Sequence, residues 1–215
     1  MEPLKSSTSQ LMYLCEINDI QSVKNILETN KEDINSVDRD YHTCLFAACI
    51  NINIELVELL LANGADINHR NIDCESVIMI TCRLYEDIKD DYKCSQLKKL
   101  IKLLIAKGAD VNQDDIFEKT TLLHMIDLND HIDIIKILLD SGADVNHYGG
   151  DGETALIKVC CGLNVNIELV KLLLEYGANV NHICFRHGTP LSIARKKSNL
   201  KLINLLVAYG ANTSE

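Results

Sequence analysis

Apolar runs recur along this chain, and each is followed by a short polar phrase. The runs have helical spacing, as in residues 56–61 and 169–174, and the phrase is Gly-Ala-Asp-Ile-Asn or a close variant. The glycines of the phrases recur at a nearly constant interval with one longer gap: Gly64, Gly108, Gly142, Gly177 and Gly210. Such an interval, of about 33 residues, is typical of stacked structural repeats, so the pattern predicts a repeated helix–turn–helix unit.

The glycine of each phrase predicts the end of a helix, because a left-handed residue is needed there. The Asp or Asn that follows is suited to bond the backbone of a turn. Two helices leave an apolar face that only a neighbouring unit can cover, so stability is shared along the stack. We expect one domain over residues 1–215, with six units at about residues 9–37, 38–70, 71–113, 114–147, 148–182 and 183–215.

The third unit is longer than the others, since Gly64 and Gly108 are further apart than the other neighbouring glycines of the phrases. The surplus falls at 84–96, between the two helices, and predicts an extended loop. The loop is acidic and carries two tyrosines, and its candidate contact residues are Tyr85, Asp87, Asp91 and Tyr92. Both a binding loop and a merely exposed loop are open, and the tolerance of repeat proteins for insertions favours the second.

These phrases closely resemble the ankyrin repeat family over residues 9–213. The unit of that family opens with Thr-Pro-Leu-His and ends with Gly-Ala-Asp-Val-Asn. The opening is nearly intact at Thr189-Pro190-Leu191, and weaker forms start at Thr43, Thr121 and Thr154. The resemblance implies an all-α ankyrin-repeat solenoid of about six helix–turn–helix units.

The resemblance also implies a protein–protein interaction module, because the family usually binds proteins with its turn tips and the exposed positions of its first helices. The candidate partner-binding residues on this concave face are Tyr41, Ile72, Phe117, Tyr148, Phe185, Met125 and Lys158. The same face would add Ile50, Ile116, Leu128, Ile193, Lys196 and Lys197. Each turn ring either anchors a partner, as aromatic side chains do at interfaces, or folds back over its own turn, and the sequence leaves both open.

Charge narrows the class of partner. The chain holds 21 basic and 31 acidic residues, a net charge of −10. This balance disfavours nucleic acids and anionic membranes, which need a basic surface, and favours protein partners with basic patches. The N-terminal residues lack the order of a secretory signal, and apolar runs are too short to span a bilayer. We therefore expect a soluble intracellular protein.

The sequence offers little chemistry. The nine cysteines lie mostly in apolar helical stretches, and we expect them to be reduced and unpaired. Histidines follow the repeat asparagines at 69, 147 and 182, but neighbouring units lie about 8–10 Å apart, too far to share one metal ion. Known catalytic motifs are missing. We expect no metal, no cofactor and no enzymatic activity, and we expect His124 to bond turn backbone as the family's histidine does.

Within the family, the unit style resembles poxvirus ankyrin proteins, because asparagine precedes the second helix at Asn53 and Asn166 and isoleucine and asparagine are frequent. That resemblance implies a host-range or immune-evasion factor of the host cytoplasm, with the nucleus as the alternative, whose partner is a host protein of the NF-κB pathway. Other readings stay open: the substrate-binding part of an F-box-type ubiquitin ligase adaptor, or a cellular or bacterial ankyrin scaffold. We see no F-box-like segment after Tyr209, which disfavours the adaptor.

The last unit keeps apolar residues at the positions that are buried inside a stack: Leu202, Ile203, Leu205, Leu206 and Val207. Terminal units of repeat proteins normally carry a polar outer face. The pattern thus predicts an apolar C-terminal end, covered either by a longer chain or by self-association through this unit.

Overall fold

The computed structural model describes residues 9–29, 33–86, 88, 90–128 and 131–213. These residues form twelve α-helices, a short 3₁₀ helix at Leu84–Glu86 and no strand, so the all-α prediction is confirmed. The α-helices are α1 Gln10–Glu16, α2 Ile20–Thr29, α3 Cys44–Ile50, α4 Ile54–Ala62, α5 Val77–Arg83, α6 Asp91–Ala106, α7 Thr121–Leu128, α8 Ile132–Asp140, α9 Ala155–Cys161, α10 Ile167–Glu175, α11 Pro190–Lys196 and α12 Leu200–Ala208. None of the described helices is long and apolar enough to cross a membrane.

The chain divides into two compact units, residues 1–113 and 114–215. In the first unit α3 packs against both α1 and α5, while α2, α4 and α6 pack on α1, α3 and α5. In the second unit α9 packs against α7 and α11, while α8, α10 and α12 cover these three helices. Within each of the two units, a repeat is therefore an antiparallel helix pair whose first helix lies against the first helix of its neighbour. The single domain over 1–215 stays a prediction.

Asparagine caps the second helices, which explains why it precedes them in the sequence. The Oδ1 atoms of Asn53, Asn166 and Asn199 accept hydrogen bonds from the backbone N–H three residues on, at 2.9, 3.1 and 3.1 Å. The first N–H groups of a helix have no partner within the helix. A side-chain oxygen at this position satisfies one of them and fixes where the helix begins.

Glycine ends the second helices, as the sequence predicts. Gly64 and Gly177 have φ of 90° and 85°, in the left-handed region that only glycine adopts freely. The next residue folds back, so that Ala65 N–H donates to the Leu60 carbonyl at 3.0 Å. This bond satisfies a carbonyl at the helix end and turns the chain toward the next repeat.

The recurring asparagines tie each repeat to the following one. The Nδ2 of Asn146 donates to the Gly177 carbonyl at 3.0 Å, and its Oδ1 accepts from Asn179 N–H at 2.7 Å. Within the two units, the same paired bonds are made by three further asparagines: Asn35, Asn68 and Asn181. The amide has both a donor and an acceptor, so it holds two backbone groups of the neighbour at once.

Replacing Asn146 with alanine is expected to lower the free energy of unfolding by about 1–3 kcal/mol, because two hydrogen bonds of about 0.5–1.5 kcal/mol each are lost. Urea unfolding followed by circular dichroism measures this change. Asn164→Ala is the control, since Asn164 lies exposed in the loop before α10. Equal stability of both variants would show that the bridge contributes nothing.

The insertion of the third repeat lies between its two helices, as predicted, but most of it is helical rather than an extended loop. Leu84–Glu86 forms a 3₁₀ turn, and α6 begins at Asp91 and runs for 16 residues, whereas α4 and α10 have nine. Asp90 caps α6 by accepting a bond from Lys93 N–H at 2.7 Å. Asp90, one of the acidic residues from which an exposed loop was predicted, thus caps the start of a helix.

Candidate interaction surface

A turn precedes the first helix in each of the second to sixth repeats, and we call this turn, including the pair of residues that closes it, the tip. Short antiparallel bridges close the turn, such as Asp114 with Thr120. The Oδ1 of Asp115 accepts bonds from Phe117 N–H and Lys119 N–H, at 2.8 and 2.9 Å. Asp38 and Asn71 hold their turns with equivalent pairs of bonds. These side chains fix the tips as rigid, exposed projections.

Histidines at the end of three repeats brace the tips at the start of the same repeats. The Nε2 of His69 lies 2.9 Å from the Tyr41 carbonyl oxygen, and that of His147 lies 2.8 Å from the Glu118 carbonyl oxygen. His182 approaches the Gly152 carbonyl in the same way, at 3.1 Å. The recurring histidines are therefore placed to bond backbone. The sequence argued against a shared metal ion at these histidines but assigned them no other role.

The four tip aromatics are exposed, as their use in binding requires. The exposed fractions are 54% for Tyr41, 67% for Phe117, 56% for Tyr148 and 103% for Phe185, and Ile72 is 56% exposed. Exposed apolar side chains of this size mark candidate interaction sites when they lie together. Their role in binding a partner stays a prediction.

The aromatics occupy different places in their turns, so they are not a feature of the repeat. Tyr148 bridges to Thr154 at the base of its turn, whereas Phe117 lies within a tip closed by Asp114 and Thr120. The Tyr148 ring lies between two histidines, with centroids 6.4 Å from His147 and 5.9 Å from His182. The Tyr148 ring is thus flanked by two histidine rings, while Phe117 and Phe185 are more exposed.

A shallow groove of about 540 Å³ lies beside Phe117, between two tips of the second unit. Its walls come from residues 116–119 and from Gly150 and Asp151. Gly150 N–H donates to the Phe117 carbonyl at 3.2 Å, which fixes one tip against the other. The groove has the volume of a ligand site, and its apolar edge is formed by Ile116 and Phe117.

Lys158 is not available as a free cation, contrary to its predicted use in binding. Its Nζ lies 3.0 Å from Asp127 and 3.6 Å from Glu153, and only 11% of the side chain is exposed. Burial alone would lower the pKa of Lys158, but the hydrogen bond and charge of Asp127 raise it above the ordinary value. Burial would raise the pKa of Asp127, but bonds from Lys158 and Lys119 hold it below the usual range. Lys158 and Asp127 are thus both charged, and their charges compensate each other.

Some predicted contact residues are buried or already bonded within the protein, so they are not part of the candidate interaction surface. Met125 is fully buried, because it faces the other helices of its unit, and Ile193 is only 5% exposed. Tyr85 is 4% exposed, and its hydroxyl donates to the Cys94 carbonyl at 2.9 Å, which anchors the insertion. Lys197 donates to the Cys160 and Cys161 carbonyls at 2.8 and 2.7 Å, at the end of α9.

The remaining insertion residues are exposed or fall outside the described part of the chain. Tyr92 is 71% exposed, and Asp91 is exposed in the first turn of α6. Asp87 lies outside the described residues. Tyr92 and Asp91 are thus placed where a partner can reach them, and their use in binding stays a prediction.

His124 does not occupy the position that the sequence match assigns to it. The other first helices begin one residue after their Thr or Ser, and α7 begins at Thr121, so Thr120 is the equivalent residue. The match is one residue out of register, and His124 corresponds to Lys158. Its Nε2 lies 2.9 Å from the carboxylate of Asp115, which holds the turn before α7. The predicted bond of His124 to turn backbone stays a prediction.

The C-terminal helix buries two of the residues that were expected to form an apolar end. Leu202 and Leu206 are fully buried, because α12 packs on α11, whereas Val207 is 43% and Leu200 72% exposed. Self-association through this unit stays a prediction and would have to use the exposed side chains.

Three comparisons place this geometry among known proteins. A family model described as ankyrin repeats matches three times, at residues 8–88, 92–181 and 128–215. An ankyrin repeat domain of Acinetobacter baumannii has a TM-score of 0.79 at 27% identity, covering 94% of this chain and 98% of its own. The ankyrin repeat domain of Bcl-3, described as a member of the IκB family, has a TM-score of 0.78 at 21% identity, covering 98% and 90%. The predicted ankyrin-repeat solenoid is thereby confirmed.

Curated relatives match parts of the chain. Human Ankyrin repeat and SOCS box protein 6 is 30% identical over 121 residues, which is 53% of this chain and 26% of that protein. The chain spans about a quarter or less of the curated relatives that it matches. These matches support protein–protein interaction as the general role and show nothing specific to poxvirus proteins.

Proposed function

Since this chain belongs to the ankyrin repeat family, we propose that it is a viral host-range or immune-evasion factor that binds and neutralises a host signalling protein. A component of the NF-κB pathway is the first candidate partner. The site of action is the host cytoplasm, with the nucleus as the alternative. The role is that of a binding protein without enzymatic activity.

The observation that best supports binding of a protein partner is the set of exposed tip side chains in the second unit. Phe117 and Phe185 are 67% and 103% exposed, on tips that the bonds of Asp115 and the bridge of Cys184 with Gly188 hold in place. A rigid aromatic ring loses little entropy on binding and gains a large contact area. Net charge of −10 adds attraction for a partner with a basic surface.

The choice of the NF-κB pathway rests on resemblance. The unit style is similar to poxvirus ankyrin proteins, several of which block NF-κB signalling, and cellular IκB proteins use an ankyrin stack for the same purpose. Bcl-3, of the IκB family, shares the fold of this chain, although at 21% identity that likeness concerns the fold alone.

The second candidate is the substrate-binding part of an F-box-type ubiquitin ligase adaptor. Human Ankyrin repeat and SOCS box protein 6 combines, by its name, ankyrin repeats with another module, and this chain covers 26% of it. An F-box-like continuation of the gene would select this candidate over a direct inhibitor.

Replacing Phe117, Tyr148 and Phe185 together with alanine is expected to weaken binding of a purified NF-κB dimer by at least about 30-fold, because interface anchors contribute about 2 kcal/mol or more. Surface plasmon resonance measures the affinity. In stimulated cells, the wild-type chain is expected to lower an NF-κB reporter, and the triple variant much less.

Leu163→Ala is the matched control, since Leu163 is a fully exposed apolar side chain of the same unit outside the tips. It should bind as the wild type does. Circular dichroism must show that the triple variant is folded, because the Tyr148 ring packs beside two histidines. An unchanged reporter at normal protein level would remove the pathway and leave the fold intact.

A further inference from the structure

The first unit holds a cavity of about 180 Å³ between α1 and α3. Its floor is apolar, and its rim carries two carboxylates. The lining residues are Met12, Glu16, Asp38, His42, Phe46, Ala47, Ile50 and Asn51.

The walls of the cavity are held in place. The Nδ2 of Asn51, at the end of α3, donates to the Cys15 and Glu16 carbonyls at the end of α1, at 3.2 and 3.1 Å. The Phe46 ring is 1% exposed and lies 5.0 Å from the His42 ring, centroid to centroid. A site whose walls are fixed by such bonds needs little reordering when a ligand enters.

The lining of the cavity carries two carboxylates, those of Glu16 and Asp38. The Oδ1 of Asp38 accepts from two backbone N–H groups, and its Oδ2 lies 3.4 Å from His42 Nδ1. The Nδ2 of Asn71 lies 3.3 Å from His42 Nε2, so the imidazole ring is held between Asn71 and Asp38. Glu16 is exposed at the rim, and none of the lining residues is lysine or arginine.

We infer that this cavity receives an arginine side chain of a protein partner. The inference deepens the proposed function, on which it rests for the supply of that side chain. A guanidinium group satisfies the two rim carboxylates with its several N–H donors. The methylene stem of arginine covers apolar surface such as Met12 and Ile50.

Size and charge argue against other occupants. A cavity of about 180 Å³ is smaller than the roughly 300–1,000 Å³ typical of sites for drug-sized ligands, so it suits a single side chain. A second copy of this chain would carry a net charge of −10 toward an acidic rim, which is repulsive.

The test uses the full chain with ¹³C-labelled methionine methyl groups and the blocked peptide Gly-Ser-Arg-Ser-Gly as the probe. Met12 lines the cavity, while Met79 and Met125 are fully buried elsewhere and act as internal references. We expect the Met12 resonance alone of these three to shift in a saturable manner. The matched peptide with citrulline, which keeps the shape but not the charge, should bind about tenfold more weakly.

Variants of the chain locate the contact. Glu16→Gln is expected to weaken binding of the arginine peptide about threefold, and Ala47→Leu to abolish it by filling the cavity. Glu58→Gln removes the same charge from an exposed position on α4 and should leave binding unchanged.

Equal binding of the arginine and citrulline peptides, or a Met12 shift that survives Ala47→Leu, would overturn the inference. So would a dimer in sedimentation that Ala47→Leu dissolves, because the occupant would then be a second copy. The two proposals can fail separately. If the triple tip variant loses NF-κB binding but the arginine peptide causes no Met12 shift in the wild type, the arginine site alone is removed.

Discussion

Leu169→Ala is expected to lower the free energy of unfolding by about 2–5 kcal/mol, the range for leucine-to-alanine changes that leave a cavity in a packed core. Leu169 is fully buried on α10, a helix that packs on both α9 and α12. Its loss therefore opens a space among three helices and weakens the contact between two repeats. Urea unfolding followed by circular dichroism gives the change.

Leu163→Ala is the matched control for this result. Leu163 lies shortly before α10 in the same repeat and is 100% exposed, so the same substitution should change stability by less than about 0.5 kcal/mol. A loss of less than about 1 kcal/mol at Leu169, or equal losses at both positions, would contradict the packing of α10.

The repeat, its helices and its caps could be predicted from the sequence because they depend on local chemistry. Glycine at Gly64 supplies the left-handed residue after a helix, and Asn53 supplies the oxygen that starts one. Both effects act within a few residues of the chain. Because the same phrase recurs in successive repeats, it determines the ends of several helices.

Other features depend on packing, and the sequence carries no clear signal for them. Tyr41, Ile52 and Glu118 have φ of 63°, 53° and 59°, although side chains with a Cβ rarely adopt the left-handed region. A β-branched residue such as Ile52 is held there at a cost of about 1–2 kcal/mol. Bonds to the Asp38 and Asp115 side chains hold the turns that contain Tyr41 and Glu118. The pattern of residue types does not reveal that a residue with a Cβ takes the left-handed position there.

The candidate site was predictable only in part for the same reason. The exposure of Phe117 and Phe185 follows from their place in turns between helices. The burial of Met125 depends on which side of α7 faces its neighbours, and a shift of one residue in the assumed start of α7 changes that side. The pairing of Lys158 depends on Asp127, which lies 31 residues away in the chain. The cavity that we assign to an arginine side chain was not predicted from the sequence either, although Phe46, one of three phenylalanines in the chain, was a visible signal.

Most cysteines are expected to react with Ellman's reagent far more slowly in the folded protein than after denaturation. All nine are free thiols, and six are buried: Cys15, Cys44, Cys49, Cys82, Cys160 and Cys184. Burial raises the pKa of Cys49 to about 12 and that of Cys160 to about 12, and it raises the pKa of Cys82 as well. Since the thiolate is the reactive form, this lowers the reactive fraction of Cys49 roughly a thousandfold at pH 8.

The experiment counts thiols with and without urea in the absence of reductant. The total should approach nine after denaturation, whereas the fast-reacting set in the native state should be confined to the partly exposed residues Cys74, Cys94 and Cys161. Cys94→Ser should remove one fast thiol and no slow one. A total well below nine would reveal a disulfide or bound metal and would overturn the reduced state.

The pH dependence follows from the direction of these shifts. An unfolded thiol loses its proton near its ordinary pKa of 9.0, while buried Cys49 keeps its proton until about pH 12. Below pH 9 both states hold the proton, so stability is unaffected; between pH 9 and 12 the unfolded state binds fewer protons, and the free energy of unfolding falls as the pH rises. Urea midpoints measured at pH 8 and pH 10 should decrease for the wild type, and by less for Cys49→Ala; a decrease of the same size in both would contradict the burial of this thiol as its cause.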